Sequence, residues 1–277
     1  MTTISVVIPV FNRRELLARA LASVLAQTRR PDEVIVVDDG SCDGTGEMVR
    51  ACFPQVCYLR NTTNQGVSRA RNRAIAAASG AWIALLDSDD TWCPHKLEAQ
   101  LALLARRPEL RVVHCDEIWI RQGRRVNPRR RHAKRGGWIF QYCLPLCAIS
   151  PSAVMIHREV FAAVGLFDES LPACEDYDLW LRVTPRYEVG FVPEPLVTKF
   201  GGHADQLSRR HWGMDRFRIH ALRRILDAGV LNAADDRAAR QMLLRKIDIY
   251  LTGARKRGRV EEVAVYEALR QEYFEGL

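Results

Sequence analysis

The chain has 277 residues, 48% of them hydrophobic and 27% charged, enough to bury one large domain core and carry a small appendage. Its formal charge of +8 arises in one place, because residues 121–135 hold eight Lys or Arg and no acid while the rest of the sequence sums to zero. Chain-wide basicity is therefore no reason to expect nucleic acid, and the basic block lacks the interleaved aromatics on which bases stack. No apolar run approaches the roughly 18 residues of a membrane-spanning helix. The first strand begins without a basic leader, so the expected location is the cytoplasm. Eight cysteines lie scattered without a C-x-x-C pair, which argues against a structural zinc site and against a secreted disulfide framework.

In chain order, residues 4–10 read as a buried strand ending in Pro9-Val10-Phe11-Asn12. Asn12 is placed to N-cap a helix near 13–27, with Glu15 completing a capping box, and Leu16, Leu17, Ala20, Leu21, Val24 and Leu25 supply its apolar face. A second strand, 33–38, ends in Asp38-Asp39-Gly40-Ser41. A helix near 43–52 and a strand near 56–60 follow. Asn64 to Asn72 is a turn running into a helix, 67–78, with alternating arginines; such a helix start suits an anion, and arginine suits phosphate.

The next strand, near 82–87, ends in Asp87-Ser88-Asp89-Asp90. In an α/β sheet the open crevice lies beyond the carboxyl ends of the strands, so these acids crowd into one place. Three like charges so close are costly unless a cation joins them, and oxygen-only ligands select a hard ion such as Mg²⁺ or Mn²⁺. Beyond a helix near 95–106 and a strand near 111–119, the pattern gives a short strand at 152–157, a helical turn at 158–164, a helix at 175–183 opened by its own acids, and a strand at 189–192. Residues 217–225, 236–251 and 260–273 read as amphipathic helices. The alternation of strands and helices implies an α/β fold with a doubly wound, mostly parallel sheet.

The order Ser5 to Asn12, Val37 to Ser41, Asn64 to Asn72, Asp87 to Asp90 and Glu175-Asp176 resembles the family-2 glycosyltransferases of GT-A fold. The resemblance covers residues 1–210 as one catalytic domain, with a nucleotide-binding half at about 1–120 and an acceptor half at about 135–210, and leaves 211–277 as a helical C-terminal extension. It implies transfer of one sugar from a nucleotide diphosphate sugar, a UDP-sugar in the first instance, to a carbohydrate or glycolipid acceptor hydroxyl. Inversion at the anomeric carbon is part of the implication, as is a place in bacterial cell-surface polysaccharide or glycolipid assembly.

By that resemblance Asp38 or Asp39, Asp39 in preference, accepts the base N–H, and Pro9 and Phe11 frame the base pocket. Asp87 holds the ribose hydroxyls with Ser88 beside it, Asp89 holds Mn²⁺ or Mg²⁺, and Arg71 and Asn64 orient the diphosphate. Asp176 is the general base for the acceptor hydroxyl, and Glu175 binds acceptor hydroxyls. His203 is a candidate third metal ligand in a loop, 199–208, expected to close over the donor. Read locally, each acidic cluster is equally a set of helix caps. Cys174 beside Glu175 invites a nucleophile reading but has no signature around it.

The basic block is read as a solvated loop, with an anionic acceptor or an acidic membrane surface as its functional partner. Two alternatives stand beside the transferase: a sugar-phosphate nucleotidyltransferase, which would open with a Gly-rich loop where Pro9 to Asn12 stand, and a non-catalytic nucleotide-sugar-binding relative.

Overall fold

The computed structural model describes residues 2–126, 132–202 and 211–274. Among these residues nine strands form one sheet: β1 Ile4–Val10, β2 Glu33–Asp38, β3 Cys57–Arg60, β4 Trp82–Leu85, β5 Thr91–Trp92, β6 Val112–Arg121, β7 Arg124–Val126, β8 Met155–His157 and β9 Val189–Gly201. Their order is β3-β2-β1-β4-β8-β6-β9-β5, with β7 hairpinned onto β6. β1, β2, β3 and β4 run parallel, and so do β6 and β9, while β8 is antiparallel to both β4 and β6.

The strands are built for burial on both faces. Val7, Ile35, Val37, Ile83 and Leu85 point to one side, and Val6, Ile8, Val34, Val36 and Ala84 to the other, the two-residue alternation of a pleated strand. The second side is covered by α1 Arg14–Leu25, α2 Thr45–Cys52 and α4 Lys96–Arg106. The first is covered by α3 Val67–Ala77, α5 Phe140–Cys143, α6 Arg158–Val164 and α7 Glu175–Val183. The C-terminal helices α8 Asp215–Asp227, α9 Ala233–Arg255 and α10 Val260–Phe274 join that same core through Ile219, Leu222, Leu243 and Ile247.

Three local expectations change. Asn12 does not cap α1: it sits at φ 50°, and its Oδ1 accepts the Cys42 N–H at 2.9 Å while its own N–H donates to Ser41 Oγ at 2.8 Å. Parallel pairing of β1 and β2 lays their exit loops side by side, and Asn12 serves that junction. The Arg14 N–H of the first turn donates instead to Asp43 Oδ2 at 3.0 Å.

The basic block is not wholly a loop. Gln122 and Gly123, both at positive φ, make the tight turn of the β6–β7 hairpin, and Lys134 is buried in an ion pair with Glu117 at 3.2 Å. Residues 127–131 lie outside the described residues.

The strand expected at 189–192 runs on to Gly201, although Pro193 and Pro195 interrupt its pattern. The irregular register between Cys115 and Glu117 absorbs the prolines, after which β9 resumes pairing and carries Lys199 and Phe200 to the ends of the parallel strands.

Candidate active site

A cleft of about 790 Å³ opens beyond the carboxyl ends of β1, β2 and β4, where the crevice of an α/β sheet is expected. Pro9, Phe11, Asp39, Asn64, Arg71, Asp87, Ser88, Asp89, Glu175 and Asp176 all line it. Asp38 does not. His203 lies outside the described residues, as does most of the loop expected to close over the donor.

The two acids ending β2 have different tasks. Asp38 is buried, takes the Ser41 N–H on Oδ1 at 2.7 Å and the Tyr58 hydroxyl on Oδ2, and is thereby consumed by the fold. Asp39 faces the cleft, but its oxygens already accept Asn61 Nδ2 at 2.7 Å, Gln65 N at 2.9 Å and Gly66 N at 2.8 Å. Its carboxylate therefore folds the 61–66 loop around itself. Gly40 permits this closeness: its φ is +88°, and a Cβ there would meet the Thr63 backbone at 2.9 Å.

After β4 the chain turns and the four residues Asp87 to Asp90 diverge. Asp87 pairs with Arg71 at 2.7 Å. Burial works against the Asp87 charge, yet the guanidinium and, after it, Lys199 hold its carboxyl below the usual range. Arg71 is itself buried and reaches Glu175 at 2.6 Å with its other terminal nitrogen, so it joins the end of β4 to α7 while lining the cleft. Asp89 pairs with Arg13, a partner the sequence reading did not find. Asp90 is buried and accepts Ser152 Oγ at 2.6 Å and Phe200 N at 3.1 Å, and burial, with Asp89 and Asp87 adding to it, pushes its carboxyl well above the ordinary range. It is a structural acid.

Glu175 and Asp176 open α7 as expected. Burial raises the Glu175 carboxyl although Arg71 opposes it. Asp176 is more accessible; Oδ1 accepts the Tyr177 N–H at 2.7 Å and Oδ2 faces the Cys147 thiol at 3.1 Å. A carboxylate at the mouth of a helix, open to a cleft, is suited to taking a proton from a bound hydroxyl. Cys174, the αL residue preceding α7, is buried, and that burial pushes its thiol up to about 12, the reverse of an activated nucleophile.

The sequence reading also missed the contribution of the C-terminal region. Arg218 and Met214 line the cleft beside Cys174 and Tyr177, and α8 is tied to α7 by Arg224, which reaches both Asp168 and the buried Asp178 at 3.1 Å. No periodicity signals which helix faces a cleft that distant strands create.

For a metal, the chemistry of the donors fits a hard cation, since carboxylate oxygens line this end of the cleft. Among the described residues no three His, Cys, Asp or Glu side chains converge as a ligand set. Asp89 lines this end of the cleft and pairs with Arg13. An ion held through one carboxylate and completed by phosphate and water oxygens is the usual mode for Mg²⁺.

The family model for glycosyl transferase family 2 matches residues 5–165. A protein of Rickettsia prowazekii named as a glycosyltransferase is 33% identical over 199 residues, 70% of this chain and 62% of its own length. An Escherichia coli K12 protein, WcaA, named for colanic acid biosynthesis, is 30% identical over 201 residues, 66% of this chain and 67% of its own. The chain thus spans about three fifths of the length of the Rickettsia relative. Among solved structures, Staphylococcus aureus TarS 1–349 in complex with UDP-GlcNAc superposes with a TM-score of 0.72 at 19% identity, covering 93% of this chain and 75% of that one. That likeness shows the GT-A fold. The sequence order, the fold and the family match lead to one conclusion: the chain belongs to glycosyl transferase family 2.

Proposed function

We propose that the protein transfers one sugar from a UDP-sugar to an acceptor hydroxyl, with inversion, in the assembly of a cell-surface polysaccharide or glycolipid. The observation that carries this is that Asp39, Asp87, Asp89 and Asp176 line one cleft at the strand ends. Support for the donor comes from TarS, solved with UDP-GlcNAc and with UDP, and for the pathway class from the name of WcaA.

In this reading the base lies against Pro9, Phe11 and the Asp39 loop, whose carboxylate shares its lone pairs between the loop N–H groups and the base. Asp87, fixed by Arg71, receives the ribose hydroxyls. Asp89 is the residue for Mn²⁺ or Mg²⁺, and such an ion supplies positive charge to the departing diphosphate. Asp176 accepts the acceptor hydroxyl proton as the oxygen attacks the anomeric carbon. Glu175, neutralised by Arg71, fixes the floor of the acceptor side.

A screen of nucleosides, nucleotides and nucleotide sugars by thermal unfolding, with Mn²⁺ and with EDTA, tests the proposal, because a ligand of the folded state raises its stability in proportion to affinity. Uridine diphosphate and UDP-sugars should raise the midpoint more than uridine does. No response to any nucleoside diphosphate would overturn the reading. Stabilisation by a UDP-sugar that neither transfers nor hydrolyses with any acceptor would favour a non-catalytic relative.

A further inference from the structure

Lys199 is the first residue of the 199–208 stretch, and the sequence gives it no role of its own. It stands in β9 opposite Trp119 of β6, and the next residue is pinned to the acid cluster by the Phe200 N–H, which donates to Asp90 Oδ1 at 3.1 Å. Its side chain lines the cleft together with Asp87, Asp89 and Asp176. Asp90, Glu117, Asp87 and Asp176 all act on its charge, and three of these four acids, Asp87, Asp90 and Asp176, line the same cleft as Lys199.

The surrounding lysines make the contrast. Lys134 bonds the Ala148 carbonyl at 3.0 Å and pairs with Glu117, and Lys96 bonds Gln100 at 2.9 Å over the Trp92 ring. Lys199 has no hydrogen bond and no ion pair within 4 Å among the described residues, although an ammonium carries three donors. It is also absent from the polar groups sealed away from solvent, so its nitrogen remains reachable from the cleft. A half-buried ammonium that is surrounded by acids but bonded to none has its donors open toward the cleft. What fits there is a ligand oxygen bearing negative charge.

Resting on the function proposed above, we infer that Lys199 binds the phosphate oxygens of the departing nucleoside diphosphate. In the transfer, the acceptor oxygen forms its bond to the anomeric carbon while the bond from that carbon to the β-phosphate oxygen breaks. The electron pair leaves with the phosphate, and the acceptor proton goes to Asp176. Negative charge therefore grows on the diphosphate, and a fixed ammonium in a wall of low dielectric stabilises it without reorganising. The compact lysine head suits a phosphate oxygen approached from one direction.

The test compares UDP with uridine, both titrated by calorimetry in EDTA, for the wild-type protein, Lys199→Met and Lys199→Arg. Wild type should bind UDP more tightly than uridine. Lys199→Met should lose about 10-fold or more in UDP affinity and keep its uridine affinity, and Lys199→Arg should recover part of the loss. Equal UDP affinity in wild type and Lys199→Met overturns the assignment while leaving the transferase reading intact. A wild type that binds neither ligand overturns both.

Because removing this charge leaves neighbouring carboxylates uncompensated and the Met variant risks unfolding, a second measurement uses the wild-type protein alone. The sequence has five lysines, so their side-chain NMR signals are few enough to assign. UDP should shift the Lys199 signal and uridine should not. A Lys199 signal unmoved by saturating UDP would contradict the proposal.

Discussion

At the residue scale, the site is built from acids whose partners decide their use. Asp38 and Asp39 are adjacent in sequence, yet Asp38 is filled by Ser41 and Tyr58 within the fold while Asp39 faces the cleft. Asp39→Ala should weaken UDP and uridine binding alike, in EDTA as well as in Mn²⁺. The expected cost is roughly 1 to 3 kcal/mol, because the Gln65 and Gly66 N–H groups lose their acceptor along with the base. Calorimetry with uridine checks this, and unchanged affinity would remove Asp39 from base recognition. Asp89→Ala should behave differently: it should abolish the gain in UDP affinity that Mn²⁺ gives and leave affinity in EDTA nearly unchanged. A variant whose affinity still rises with Mn²⁺ would place the ion elsewhere.

One residue also sets a pH dependence. Burial alone would raise the Glu117 carboxyl, but Lys134 and then Lys199 overcome it and lower it from 4.5 to about 2. A carboxyl lowered on folding contributes stability above its unfolded value, and that contribution fades as pH falls through the folded one. Glu117 should therefore contribute about 3 kcal/mol at neutral pH, lost between about pH 4.5 and 2. Urea unfolding of wild type and Glu117→Gln should show a stability gap at pH 7 that shrinks toward pH 3. A gap of constant size would contradict the assignment.

At the scale of elements, the parallel strands and their flanking helices were legible because each carries a two-residue or helical period, and α6 and α7 fall on the expected residues. What escaped was set by pairing across the sheet. β9 reads as a four-residue strand because its two prolines break the period, and only a partner strand with a matching irregularity extends it to Lys199. Arg71 showed its charge but not its carboxylate partners, which lie 16 and 104 residues away.

The basic segment hides a hairpin and a buried Lys134 for the same reason. Its exposed cations remain candidates for an acidic partner. Neutralising Arg124, Arg125 and residues 129–131 should leave UDP binding unchanged and weaken sedimentation with vesicles rich in anionic lipid, an effect that fades as salt rises above ~0.15 M. Wild-type protein that fails to sediment with such vesicles at low salt would remove the membrane from the account. No helix among the described residues is long and apolar enough to cross a bilayer.

At the scale of the whole molecule, one sheet brings two chemistries to a common edge. The parallel strands β1, β2 and β4 present the donor-side acids, and α7, packed on the same face of the sheet as α3, presents Glu175 and Asp176. Arg71 bridges the two sides through Asp87 and Glu175, and α8 buttresses α7 through Arg224 and Asp178. The C-terminal helices thus share the core of the catalytic fold and lend Arg218 to the cleft.

The central claim is that this cleft transfers sugar with Asp176 as the base, and Asp176→Asn tests it most directly. Asparagine keeps the size, and its carbonyl can still accept the Tyr177 N–H and face Cys147, but it takes no proton at neutral pH. The measurement is UDP-sugar affinity and transfer rate side by side for wild type and variant. The account predicts affinity within about twofold of wild type and a transfer rate lower by roughly 10²-fold or more, with Glu175→Gln losing less. A variant that binds the donor and transfers at the wild-type rate would contradict it.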